Sequence, residues 1–124
     1  MTGPFLADTH ILLWSLNDDR RLPSPYRRIL LSDTQVFVSM ASLWEIAIKA
    51  SLGKLDPIGQ LPELVSRTGF DVLPIALHHI EAIRSLPLHH RDPFDRMIIA
   101  QAKHEGWPLM TADPAFRLYD VAIV

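Results

Sequence analysis

Pro4-Phe5-Leu6-Ala7-Asp8-Thr9-His10 is the stretch that decides how this 124-residue chain is read. Phe5 to Asp8 has the pattern of a short buried strand that ends on a carboxylate. His10 to Leu16 then continues as a helix with Ile11, Leu12 and Leu16 apolar. A strand running directly into a helix opens an α/β unit. In an open α/β sheet, ligands collect in the crevice beyond the carboxyl ends of the strands. Asp8 therefore stands where chemistry is expected.

The alternation continues downstream. Ser24-Pro25 offers an N-cap with proline at the first helical position, which predicts a short helix over 25–31. Gln35 to Val38 is β-branched and aromatic and predicts a second strand. Ser39 to Leu52 follows as a helix closed by Gly53 at its C′ position, with Ser42-Leu43-Trp44-Glu45 fitting a capping box. Gln60 to Thr68 predicts a helix ended by Gly69, Phe70 to Pro74 a strand, and Leu77 to Ser85 a helix. Asp92-Pro93 opens another helix that runs to about Glu105, with Gly106 past its end. Pro108 to Thr111 leads into the loop bearing Asp113, and Val121 to Val124 is expected as a closing strand. The class expected is α/β: one domain over 1–124, with a mostly parallel sheet covered on both faces, because parallel neighbours need helical crossovers. No internal repeat, linker or low-complexity tract interrupts it.

Composition narrows the function classes. At 48% hydrophobic and 21% charged residues the chain has ordinary globular usage. With no cysteine there is no disulfide, no thiolate metal site and no cysteine nucleophile. Apolar runs such as Ile11 to Trp14 are too short to span a bilayer, so a cytoplasmic protein is expected. The formal net charge of -2 provides no global attraction to nucleic acid. A polyanion would have to be held by local arginines or by metal ions.

Four acids occupy comparable places: Asp8, Glu45, Asp95 and Asp113. Each alone has an ordinary explanation. Asp8 and Asp113 can cap helices or sit in solvated loops, Glu45 can serve the capping box and pair with Lys49, and Asp95 suits the first turn of a helix. Asp92 is the expected N-cap of that helix. As a set they differ: Asp8 and Asp113 lie just past strands, while Glu45 and Asp95 lie in early helical turns that start at the same sheet edge. Two carboxylates about 5 Å apart repel by roughly 3 kcal/mol at an effective dielectric near 20. A cluster of four must therefore take up protons, meet an arginine or bind a cation. Oxygen ligands suit Mg²⁺ or Mn²⁺, and two such ions about 4 Å apart can stabilise both oxygens of a phosphodiester displacement. The chemistry implied is phosphate-ester hydrolysis.

These residues resemble a known family. Asp8-Thr9-His10 followed by Leu12-Leu13-Trp14, then Ser42-Leu43-Trp44-Glu45-Ile46-Ala47-Ile48-Lys49 with Leu52-Gly53-Lys54-Leu55, then Asp92-Pro93-Phe94-Asp95-Arg96 with Ala100-Gln101-Ala102, and finally Thr111-Ala112-Asp113, together look like a PIN-domain toxin of the VapC type. The resemblance implies a three-layer α/β/α PIN-like domain, a Mg²⁺- or Mn²⁺-dependent ribonuclease, a homodimer and a small inhibitory VapB-type antitoxin. It maps the family's acidic quartet onto Asp8, Glu45, Asp95 and Asp113 as catalytic and metal-binding residues. Thr9 and Thr111 would orient the carboxylates or a metal-bound water. With no histidine placed by the motifs as a base, a metal-activated water is expected, leaving 5′-phosphate and 3′-hydroxyl ends.

Arg96 and Arg91 are candidates to hold RNA phosphates. Arg20-Arg21 and Arg27-Arg28 are a possible basic rim, though a solvated face suits them better. The pairs His78-His79 and His89-His90 lack the i, i+4 spacing of a helical zinc site and read as ordinary. The helix carrying Leu43, Trp44, Ile46, Ala47, Ile48 and Leu52 is apolar almost all round, expected as core with partner contact as the alternative. An aspartyl-nucleophile phosphatase would need a second acid two positions after Asp8, a phosphoacceptor signalling domain would need an acidic pair near the start, and a P-loop would need its glycines and lysine. None is present. The remaining alternative is a PIN-like module that binds RNA or protein without cleaving.

Overall fold

A computed structural model describes residues 3–55 and 59–124. Four strands, β1 (Phe5–Ala7), β2 (Val36–Ser39), β3 (Asp71–Leu73) and β4 (Leu109–Met110), form a sheet in the order β3-β2-β1-β4 with every pairing parallel. Side chains along β1 point alternately to the two faces. Phe5 and Ala7 join Ile11, Leu12, Tyr26, Val38, Ile46 and Leu64 in one core layer. Leu6 joins Leu73, Ile98, Ile99, Leu109 and Phe116 in the other. The first layer is closed by α1 (Thr9–Leu16), α2 (Ser24–Leu30), α3 (Met40–Ser51) and α4 (Leu61–Thr68), the second by α5 (Leu77–Ile83) and α6 (Pro93–Glu105). This is the three-layer α/β/α arrangement expected, and β1 is buried on both faces because helices cover both.

Strand order fixes where a site can form. From β1 the chain moves outward through β2 to β3 and returns to β4 on the opposite side of β1. The order therefore reverses between β1 and β4, and the crevice beyond their carboxyl ends is the switch point at which such sheets take ligands. Asp8 follows β1 directly, and Thr111 follows β4.

Local chemistry explains most of the element boundaries. Asp92 caps α6, its Oδ1 accepting from Phe94 N at 2.8 Å and Asp95 N at 3.1 Å, and Gly106 ends the helix in the left-handed region at φ 72°. The start of α3 differs from the expected capping box. β2 passes into the helix with no loop, so its last residue, Ser39, is the cap, and its Oγ accepts from Ala41 N at 2.9 Å. Ser42 lies inside the first turn and is buried, and Glu45 is one turn further on. Ser24 likewise is the first helical residue of α2 rather than its cap. The expected closing strand over Val121 to Val124 shrinks to one bridge between Leu109 and Ile123, because Val121 N turns back onto Tyr119 O at 2.9 Å. Among the described residues no helix is long and apolar enough to cross a membrane.

Candidate active site

Asp8 caps a helix with one carboxylate oxygen and is tied to the loop after β4 through the other. Its Oδ1 caps α1 by accepting from Ile11 N at 3.0 Å, while Oδ2 accepts from Thr111 Oγ1 at 2.5 Å. The Thr111 hydroxyl in turn accepts from Asp113 N at 3.1 Å, which ties the loop after β4 to the end of β1. Asp8 is 3% exposed. Burial pushes its carboxyl above the usual range although the Thr111 and Ile11 hydrogen bonds pull it down, and the charge of Asp113 adds to the rise.

Glu45 reaches the crevice from the second turn of α3. Its Oε2 lies 3.0 Å from Lys49 Nζ, whereas Oε1 is buried with no hydrogen-bond partner among the described residues. Asp95 projects from the first turn of α6. Burial and then the charge of Asp92 push its carboxyl up to about 7, with smaller upward contributions from Glu45 and Asp8 and an opposing one from His90. Asp113 caps a 3₁₀ turn, Pro114–Leu118, its Oδ1 accepting from Ala115 N at 2.9 Å. The four acids thus come from four separate segments and act electrostatically on one another.

His90 is the residue that sequence reasoning missed. Its Nε2 lies 3.0 Å from Asp95 Oδ2 and 3.4 Å from Asp113 Oδ2, so the reading of this histidine as ordinary is corrected. Its Nδ1 accepts from Asp92 N at 3.2 Å, which in the neutral ring places the hydrogen on Nε2, facing the two carboxylates. The available signal was its position two residues before a capping aspartate, from which an imidazole can reach back to the cap's own N–H.

Other expected residues take different places. Thr9 is buried, and its Oγ1 donates to Ser42 Oγ at 2.9 Å, so it braces α1 against α3 and orients no carboxylate. Arg96 does not present its guanidinium to the crevice. It donates to Pro87 O at 2.8 Å and Leu86 O at 3.2 Å, with longer contacts to His90 O and Tyr119 Oη, and so fastens the loop that carries His90. Arg96→Lys, which cannot reproduce this fork, should cost about 1–3 kcal/mol, read as a lower melting temperature. Arg91 is exposed and has no ion-pair partner among the described residues. Arg21 pairs with Asp19 at 2.8 Å and Arg27 pairs with Asp18, as a solvated face would.

A parallel α/β/α domain with an acid-lined crevice at its switch point defines a class, and the sequence places the chain within it: the PIN domain profile matches residues 5–122. The chain belongs to the PIN domain family. Its fold is similar to that in the crystal structure of VapBC2 from Rickettsia felis bound to a DNA fragment from their promoter, with TM-score 0.71 at 14% identity over 96% of this chain and 95% of that one. It is also similar to a toxin-antitoxin complex from Klebsiella pneumoniae, with TM-score 0.61 at 19% identity over 89% and 87%. No curated protein matches the sequence.

Proposed function

We propose that this chain is a Mg²⁺- or Mn²⁺-dependent endoribonuclease acting as the toxin of a toxin–antitoxin pair. The observation that carries the reading is an acid pocket whose internal compensation is incomplete: Lys49 meets one oxygen of Glu45, and a single His90 nitrogen serves both Asp95 and Asp113. Glu45 Oε1 is buried and unpartnered, and Asp95 is held up to about 7 by burial and by its acidic neighbours. A cation answers both conditions, and oxygen donors suit a hard one. Asp8, Glu45, Asp95 and Asp113 would hold it. When bound, such an ion supplies an acidified water and neutralises charge developing on a phosphodiester.

The chain's own residues prepare that pocket. Thr111 fixes the orientation of Asp8 and the position of Asp113 through one hydroxyl. The Asp92 cap sets the first turn of α6 and so the direction of Asp95. His90 holds Asp95 and Asp113 together through its Nε2. Exposed Arg91 is the side chain we assign to RNA phosphates, since Arg96 is engaged elsewhere.

Of the two similar solved structures, one is VapBC2 bound to a promoter DNA fragment and the other is a toxin–antitoxin complex, which supports an antitoxin partner for this chain. In this chain α3 buries Leu43 and Ile46 but exposes Met40, Trp44 and Ile48, and with Leu52 at the helix C-cap these are spaced by four residues along one stripe. That stripe is the surface we assign to a VapB-type antitoxin or to a second copy in a homodimer. The protein would act in the cytoplasm. Expression of the chain alone should arrest growth, and co-expression with the neighbouring small open reading frame should restore it and give a complex without nuclease activity. A complex that cleaves RNA as fast as the free chain would remove inhibition from this reading.

A further inference from the structure

At the end of α6 remote from the acid pocket, three imidazoles converge on one carboxylate oxygen. Glu105 Oε2 lies 3.4 Å from His79 Nε2, 3.9 Å from His78 Nε2 and 4.0 Å from His104 Nε2. The His78 and His104 rings are stacked, with centroids 4.1 Å apart and planes 22° from parallel, so their Nε2 atoms meet the same oxygen side by side. Ten residues of helix separate Asp95 from Glu105, about 15 Å at 1.5 Å per residue, so this cluster is distinct from the acid pocket.

The three histidines are not equivalent. His79 is 2% exposed, and its Nδ1 accepts from Ala76 N at 3.0 Å, which leaves its hydrogen on Nε2, pointing to Glu105. His79 thus orients the carboxylate and does not ligate, the arrangement by which hydrogen-bond donors fix metal-bound carboxylates. The side chains of His78 and His104 are about half exposed, and among the described residues neither ring makes a hydrogen bond, their contacts to Glu105 being ion-pair distances only. In the neutral tautomer with the hydrogen on Nδ1, each ring offers its Nε2 lone pair.

We propose that His78, His104 and Glu105 form a second divalent-metal site, of the nitrogen-containing kind that takes Zn²⁺ or Ni²⁺, joining the first turn of α5 to the last turn of α6. Bonds of about 2.0 Å in tetrahedral geometry set ligand atoms roughly 3.3 Å apart. To put both in-plane lone pairs on one ion, the stacked rings must turn out of parallel about χ2 as the observed 3.9 Å and 4.0 Å contacts to Glu105 shorten, and their exposure leaves them free to turn. Two imidazoles and one carboxylate favour a late divalent ion over Mg²⁺, the fourth position being open to water. A cation there also meets the negative end of the α6 dipole.

The test uses the full chain carrying Asp95→Asn and Asp113→Asn, so that the acid pocket does not compete. Calorimetric titration should show one equivalent of Zn²⁺ bound with a Kd on the order of micromolar, and His78→Ala or His104→Ala should each weaken it by about tenfold or more. Co²⁺ should give visible ligand-field bands that both substitutions abolish. Both sites are exposed, so the variants should keep the parent's melting temperature in chelator. Zn²⁺ binding no tighter than millimolar, or equal affinity with and without His78 and His104, would overturn the assignment.

Discussion

Asp95→Asn should lower Mn²⁺-dependent RNA cleavage by about a hundredfold or more, whereas Asp92→Asn should stay within about tenfold of the parent. The two acids are three residues apart on one helical turn, yet the structure gives them different work. Asp92 accepts two backbone N–H groups through a single oxygen, and asparagine retains that oxygen, so the cap of α6 survives. Among the described residues Asp95 makes no backbone bond with its carboxylate, which pairs with His90 and feels the charges of Glu45 and Asp8. Its charge is what the pocket loses in the variant. Initial rates on one RNA substrate, with thermal melts to show that each variant folds, decide the matter. An Asp92→Asn defect as deep as that of Asp95→Asn would mean that the cap residue reaches the metal.

The second large effect concerns stability. In chelator the parent should be less stable at pH 8 than at pH 5, and Asp95→Asn should remove much of that difference. Asp95 titrates at about 7 when folded against an ordinary 3.8, so folding takes up a proton between those values. The stability associated with the neutral carboxyl is fully present below about 3.8, falls as pH rises through about 7, and is gone above it. Asparagine carries no such charge, so the variant should melt higher than the parent at pH 8, by roughly 5 °C or more for a domain of this size, with the gap narrowing at pH 5. Saturating Mn²⁺ should reverse the order by stabilising the parent more. Asp8 is also pushed up by burial, but Asp8→Asn would replace the acceptor that Thr111 and Ile11 both use, and the two effects oppose. Asp95 is the cleaner probe. Equal melting of parent and Asp95→Asn at pH 8 without metal would show that the acids do not crowd one another.

What was legible beforehand follows from how local each signal is. Asp92, Pro93 and Gly106 bracket α6 with chemistry that acts within four residues, and both ends lie where those residues put them. The alternation of strands and helices gave the layers, because a parallel sheet needs crossovers whatever its partners. The cap of α3 was misplaced: Ser42 to Glu45 fits a capping box in sequence, but β2 runs into the helix without a loop, so Ser39 is the cap and Ser42 lies within the first turn. The acids converge as expected, but the groups between them were hidden. His90 enters the pocket from a loop held by Arg96 and Tyr119, the latter 29 residues away, so no spacing rule announces it. Thr9 sits beside Asp8 in sequence, yet as the first residue of α1 it turns to Ser42. On α3, composition alone showed an all-round apolar helix, while the packing divides it into a buried face and an exposed stripe.

The most direct measurement of the central claim is cleavage of a mixed set of structured RNAs by the purified chain, in Mn²⁺ and in chelator, beside Asp95→Asn. The acid pocket predicts cleavage with Mn²⁺, none in chelator and none by the variant, with fragments bearing 5′-phosphates. Cleavage that persists in chelator or in Asp95→Asn, or an inert parent that binds Mn²⁺ in the pocket, would contradict it.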